Sequence, residues 1–192
     1  MKTYLSIDMD FWNGRTTEYV ESDLDALLRE LHQRNVPMIA VMNHQQLTNV
    51  ISASSARVLI NVDMHSDLAD TGVDVFECGT WVSYVKWRKH GKYAWIHRHP
   101  AYEGECNSIP IFAHGVKKHL SDWKHITHNF VRKLPPVQEL VSDCVGAGLV
   151  LSPSYVYEEY EPIFRKLVQK YNIPYKRGRR NEPEFLVDRK PK

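Results

Sequence analysis

Cysteine is scarce in this chain. The three cysteines, Cys78, Cys106 and Cys144, form no Cys-x-x-Cys pair and no even set, which excludes a disulfide-built scaffold and suits a reducing compartment. Long apolar runs are missing too. None approaches the roughly 20 residues needed to span a bilayer, and the first residues lack a basic stretch followed by an apolar block and a small-residue cleavage site. A soluble, cytoplasmic protein with no membrane partner is therefore expected. Charge of one sign is not in excess either. The formal net charge is +2, with ten histidines uncounted, too mild to argue for nucleic acid. The one basic cluster, "KRGRR" at Lys176 to Arg180, reads as a solvated surface segment. Internal repeats and linkers are absent. What remains is an ordinary globular composition, 192 residues with 43% hydrophobic, long enough for one sizeable core. We expect residues 1–180 to form a single α/β domain and 181–192 a partly extended tail.

Hydrophobic periodicity predicts alternating strands and helices. "TYLSIDMD" reads as a strand. "SDLDALLRELHQRN" reads as a helix with Ser22 as N-cap and Leu24, Leu27, Leu28 and Leu31 on one face. "MIAVM" is a short apolar run, "HQQLTNVIS" a short helix, and "RVLINVDM" a third strand. "TWVSYVKWRKH" predicts a helix ended by Gly91, and "YAWIHR" a fourth strand. From Pro100 to Asn129 no period is sustained. "GAGLVLSP" reads as a late strand and "YEEYEPIFRKLVQKYN" as a long amphipathic helix. Strands with helices between them predict a three-layer α/β fold, a mainly parallel sheet with helices on both faces.

The first three strands end in chemistry. Strand one finishes with Asp8 and Asp10, strand two runs into His44, and strand three runs into Asp63, His65 and Asp67. In open parallel sheets the ligand lies outside the carboxyl ends of the strands, so these six side chains should converge on one crevice. Residues two apart on a strand share a face, which would pair Asp8 with Asp10. Four carboxylates so close would repel one another without a cation. A carboxylate-rich set with some imidazole suits manganese or iron better than structural zinc, which favours cysteine and histidine. Taken singly, an Asp-x-Asp also serves as a cap or turn, and a lone histidine as a hydrogen-bonded surface group. Three such pieces at three consecutive strand ends favour a metal.

These residues carry a resemblance. "SIDMD" resembles the Ser-x-Asp-x-Asp motif of the arginase and ureohydrolase superfamily, "DMHSD" resembles its Asp-x-His-x-Asp motif, and His44 stands where that family has its remaining histidine ligand. The motif order is permuted, since Ser-x-Asp-x-Asp comes first here. The family's Asp-Pro after that motif is Asn13-Gly14, and its Gly-Gly-Asp before the histidine is replaced by "VMN". The chain is similar to a group of uncharacterised arginase-like proteins through "DMDFW", "DMHSDL", Glu77 with Trp81, and "SPSY", Ser152 to Tyr155. The resemblance implies an arginase/deacetylase-like fold and two divalent metal ions, manganese in most of the family, with iron or zinc as alternatives. Asp63 and Asp8 would bridge them, His44 and Asp67 would complete one, and His65 and Asp10 the other.

Two such cations generate a bridging hydroxide at neutral pH and polarise the bond under attack. The expected activity is hydrolysis of a carbon–nitrogen bond in a guanidine, amidine or amide, on a small molecule or a modified side chain. Glu77 is the candidate for proton transfer to the leaving nitrogen, with His97 and His99 in reserve. Trp12, Asn13, Trp81 and Tyr155 are candidates for contact with substrate; for Trp12, cover of the metal cavity is the preferred role, since aromatic residues more often pack than bind. The rival readings are a two-metal phosphoesterase or nuclease and a non-catalytic metal-binding protein of the same fold.

Overall fold

A computed structural model of the chain describes residues 1–68, 79–86, 91–99, 106–108 and 123–176, with strand pairing alone for 106–108 and 123–125. Among the described residues the strands are β1 (Thr3–Asp8), β2 (Met38–Val41), β3 (Val58–Val62), β4 (Gly91–His97), β5 (Cys106–Ser108), β6 (Trp123–Phe130), β7 (Cys144–Val150) and β8 (Tyr175–Lys176). They form one sheet in the order β5-β6-β4-β3-β1-β7-β2-β8. Seven are parallel, and only the edge strand β5 runs antiparallel, against β6. From β1 the chain passes to β2 on one side and then to β3 on the other, a reversal that opens a crevice at the carboxyl end of β1.

The α-helices are α1 (Thr17–Gln33), α2 (Thr48–Ala53), α3 (Val137–Val141) and α4 (Tyr160–Lys170). On one face of the sheet, Leu5, Ile7, Ala40, Ala147 and Leu149 pack against Val20, Leu24, Leu27, Leu28 and Leu31 of α1 and Ile163, Phe164 and Leu167 of α4. Those spacings of three and four residues give each helix one apolar stripe. The other face packs Tyr4, Leu59, Tyr93 and Trp95 against Leu47, Ile51 and Trp81. Helical elements thus cover both faces of the mainly parallel sheet, as the periodicity predicts. Among the described residues no helix is long and apolar enough to cross a membrane.

Four expectations are corrected. Helix α1 starts before Ser22: its N-cap is Thr16, whose side chain accepts from the Tyr19 N–H at 3.4 Å, because Val20 continues the leucine stripe one turn earlier. "TWVSYVKWRKH" does not open as an α-helix. Trp81–Tyr84 form a single 3-10 turn that ends in extended backbone at Val85, since the bulky pair Trp81 and Val82 is drawn into the core rather than along one stripe; residues 87–90 lie outside the described residues. Gly91 begins β4 instead of ending a helix. The unpatterned stretch conceals β5 and β6, where polar residues such as His125, Thr127 and Asn129 interrupt any apolar run.

Candidate metal centre

Register brings the strand ends level. Ile7 pairs with Val62, so Asp8 and Asp63 leave the sheet side by side; Asp8 also pairs with Val150, and Val150 with Val41. Three residues beyond Val41 comes His44, at the start of a 3-10 turn, His44–Leu47. That turn sits close on β7: a Cβ on Gly148 would meet the Leu47 side chain at 2.5 Å. A side chain at Gly148 would therefore push Leu47 aside.

Strand β1 ends at Asp8, and Asp10 belongs to a 3-10 turn, Met9–Trp12. The two carboxylates are therefore paired by a turn and not by the strand period. Asp8 Oδ1 caps that turn, accepting from the Asp10 N–H at 2.9 Å. The capping and site roles coexist, because each carboxylate gives one oxygen to the backbone and turns the other inward. Asp10 Oδ1 accepts from the Met64 N–H at 3.0 Å and Asp63 Oδ1 from the His65 N–H at 2.7 Å.

The inward atoms converge. His44 Nδ1 lies 3.2 Å from Asp8 Oδ2, 3.4 Å from Asp63 Oδ2 and 3.0 Å from Asp67 Oδ2. His65 Nδ1 lies 2.9 Å from Asp10 Oδ2 and 3.8 Å from Asp63 Oδ1. Two groups of three donors, each within 4.8 Å of one another, result: Asp8, His44 and Asp63, and Asp10, Asp63 and His65. Asp63 belongs to both. All but His65, which is half-exposed, are buried. All six ligand candidates are thus at one place.

Their surroundings hold them. Ser6 Oγ lies 3.1 Å from His44 Nε2, which leaves Nδ1 as the inward atom. Trp81 stacks on the His44 ring at 4.9 Å and its Nε1 donates to Asp67 Oδ2 at 2.5 Å. The Ser152 hydroxyl donates to Asp8 Oδ2. Asn61 Nδ2 donates to Asp63 Oδ2 at 3.0 Å, and the Trp95 indole to the Asp63 carbonyl at 3.0 Å. Among the described residues, the four non-glycine residues with positive φ are also informative. Asn35 and Asn172 follow the ends of α1 and α4, where asparagine commonly adopts this conformation. Asp67, at φ +52°, and Ser152, at φ +49°, have no helix end to explain them; both aim a polar side chain into the site, where strain is characteristically retained.

Electrostatics follow from the crowding. Burial, then the charge of Asp10, pushes Asp8 up to about 7 against the pull of His44. Burial, followed by Asp67, Asp10 and Asp8, raises Asp63 well above the carboxylate range. Burial works to lower the His44 imidazole, but Asp67 and Asp8 together raise it. The hydrogen bond to Asp10 raises His65. Carboxylates driven towards the neutral form and histidines driven towards the cation describe one condition: the cluster carries excess negative charge in a low-dielectric place.

A cavity of about 250 Å³ opens over this cluster, lined also by Ser66, Gly79, Trp95, His99, Ser152 and Tyr155. Tyr155 stands at its edge, about half-exposed, with its ring 5.4 Å from that of His65. Asn13 is placed as a brace, its Nδ2 donating to the Tyr155 carbonyl at 2.7 Å. Trp81 holds ligands from behind. Trp12 is in the core, 1% exposed, with Nε1 on Asp23 at 3.1 Å, and does not line the cavity. Glu77 and the 181–192 tail lie outside the described residues. Of the reserves, His99 lines the cavity, while His97 is buried behind it, 3.1 Å from His128 Nδ1. Sequence reasoning missed Trp95, Asn61 and the Ser152 hydroxyl. Trp95 and Asn61 sit on strands whose apolar look hides which face they take, and Ser152 is visible only as part of "SPSY". No family model, curated protein or solved structure matches the chain.

Proposed function

We propose that this protein is a metal-dependent hydrolase of a carbon–nitrogen bond, acting on a guanidine, amidine or amide. The observation that carries the reading is Asp63, a buried carboxylate shared by two adjoining three-donor groups. The donor chemistry fits divalent cations. Oxygen and imidazole donors without sulfur suit manganese or iron, and a bound cation would relieve the burial of like charges. Two cations so placed would supply a hydroxide nucleophile at neutral pH and polarise the bond under attack.

The chain's own residues do the rest. Asp8, His44, Asp63 and Asp67 would hold one cation; Asp10, Asp63 and His65 the other. Ser6, Trp81, Ser152 and Asn61 fix the orientation of those ligands, as outer-shell partners do. Burial keeps bulk water from screening the charges. Tyr155 and Trp95 offer aromatic walls for a planar group, and His99 is a titratable side chain at the cavity outside the ligand set. The likeness of "SIDMD" and "DMHSD" to the arginase superfamily supports the same class, and with it an arginase-like arrangement of the sheet.

The test is elemental analysis of protein purified without chelator, paired with assays for ammonia or amine release from guanidines, amidines and amides. About two metal equivalents and metal-dependent release are expected. Cleavage of a phosphodiester instead would transfer the site to phosphoryl chemistry. Absence of bound metal, with no thermal shift on adding manganese, would sink the reading.

A further inference from the structure

The loop leaving β3 carries three of the six ligand candidates, Asp63, His65 and Asp67. Much of what holds it comes from β4. Along that strand Tyr93 and Trp95 share the face that Leu59 takes on β3, and the register sets Tyr93 beside Leu59 and Trp95 beside Asn61. Both side chains send a donor into the loop, and both donors meet its backbone. The Trp95 indole donates to the Asp63 carbonyl at 3.0 Å and the Tyr93 hydroxyl to the Ser66 carbonyl at 2.6 Å. The hydroxyl is itself held. Asn61 Nδ2 donates to it at 3.4 Å and to Asp63 Oδ2 at 3.0 Å, so one amide ties Tyr93 to the shared carboxylate. Tyr93 is buried and does not line the cavity; its hydroxyl reaches the site only through the chain.

The ligand this affects is Asp67. The Ser66 carbonyl and the Asp67 nitrogen belong to one planar peptide, so a hydroxyl that fixes the carbonyl fixes the plane from which Asp67 departs. Asp67 then takes φ +52°, a conformation kept only where the surroundings impose it. Two restraints do so. Trp81 Nε1 holds the carboxylate end at 2.5 Å, and Tyr93 holds the peptide end. Without the second, rotation of that peptide would let φ relax and draw the carboxylate from His44 Nδ1, now 3.0 Å away. His65 has other supports, its N–H on Asp63 Oδ1 at 2.7 Å and its ring on Asp10 Oδ2 at 2.9 Å. Loss of the Tyr93 hydroxyl therefore bears on one donor group and spares the other.

We propose that Tyr93 is a positioning residue which, through the Ser66–Asp67 peptide, sets the affinity of one of the two cations, the one held by Asp8, His44, Asp63 and Asp67. The inference rests on the metal reading of the site.

The test titrates manganese into the metal-free full chain by calorimetry. Tyr93→Phe keeps the ring and its packing and removes the hydroxyl alone. One manganese equivalent should bind about 10- to 100-fold more weakly, as outer-shell losses do, while the other stays within about twofold of wild type. Tyr171→Phe is the control, since it removes a buried hydroxyl placed 2.8 Å from Asp25 Oδ1 on the other side of the sheet; both equivalents should be unchanged in it. A residue that acts through Asp67 must lose its effect where that carboxylate is gone. In Asp67→Gly, where glycine takes the positive φ freely, adding Tyr93→Phe should change manganese affinity by no more than about twofold. Without metal, the carbon-13 shifts of the Ser66 carbonyl and the Asp67 Cα should move in Tyr93→Phe and stay in Tyr171→Phe. Undiminished binding of both equivalents by Tyr93→Phe, equal weakening of both, or an effect undiminished in Asp67→Gly overturns the proposal and leaves the metal reading standing. A wild type that takes up no manganese overturns both.

Discussion

The two faces of the sheet are built to opposite rules. On one, α1 and α4 bury leucine, isoleucine and phenylalanine, and their charged groups meet at the surface, as Lys166 does with Glu21 and Lys170 with Asp25. On the other, the strands turn Ser6, Asp8, Asn61, Asp63, His97 and His128 inward, and all of them are buried. The same strands serve both. Along β1, Leu5 and Ile7 enter the apolar core while Ser6 and Asp8 face the opposite way, as a period of two requires. The second face thus combines a core of its own, Tyr4, Leu59, Tyr93 and Trp95 against Leu47, Ile51 and Trp81, with buried polar groups that the first face does not carry. The polar face is tolerable because nearly every group in it has a partner, and its remaining excess of negative charge is what a cation would relieve.

Asp63→Asn should separate the faces most sharply. It removes the carboxylate shared by both donor groups, so bound metal should fall by at least about 100-fold in affinity, read by elemental analysis and manganese titration. Metal-free protein should gain stability from the same change, because keeping that carboxyl buried among other acids costs either a charge or the uptake of a proton, and asparagine needs neither. A metal-free melting temperature below that of the wild type would contradict the view of this face as electrostatically overloaded.

The converse change lies across the sheet. Leu28 is 1% exposed in the stripe of α1, and Leu28→Ala should destabilise by about 2–5 kcal/mol, measured by denaturant unfolding. Metal stoichiometry should stay unchanged in the folded fraction. Loss of metal in step with stability would mean that the two faces do not act separately.

This division also explains what could be read from the chain. Leu24, Leu27, Leu28 and Leu31 announce α1, and "RVLINV" announces β3, because apolar burial leaves a period in the sequence. Asp8, His44 and Asp63 were placed together because parallel strands in register end at one level. The support of the site left no such mark. Trp81 reads as part of a helix until its stacking on His44 is seen, and Ser152 reads as the end of a late strand until its hydroxyl is found on Asp8. Strand β6 was illegible because its polar residues suppress the period that betrays a strand. Trp12 misled for the opposite reason: beside two acids it looked like a site residue, yet a large aromatic side chain more often fills a core.

Proton linkage sharpens the contrast further. The folded Asp8 carboxyl is pushed up to about 7, above its unfolded value near 4. Between those values the folded state holds a proton that the unfolded state has released, so this contribution is full below about pH 4 and is lost as pH rises through 7. Raised His44 and His65 act in the same direction at higher pH, while His97, lowered to about 4 by burial and by His128, opposes it at acid pH. The Asp8→Asn protein isolates this contribution. Without metal, it should lose less stability than wild type between about pH 4 and 7, in denaturant melts at matched salt. Manganese affinity of the wild type should rise across the same window as protons are displaced. A wild type and variant with parallel pH profiles would show that Asp8 is not perturbed.

The smallest effect concerns the indole behind the site. Trp81→Phe keeps an aromatic face against His44 and most of the buried volume, and removes only the Nε1 donor to Asp67 Oδ2. Asp67 is held at φ +52°, a conformation that aspartate adopts at some cost, so it needs an external anchor to keep its carboxylate beside His44. Without the indole hydrogen bond, metal affinity should weaken about 10- to 100-fold, as with other outer-shell losses. The unfolding free energy of metal-free protein should change by no more than about 1.5 kcal/mol. If instead stability falls by as much as in Leu28→Ala with affinity untouched, Trp81 belongs to the packing of its face and not to the orientation of the ligands.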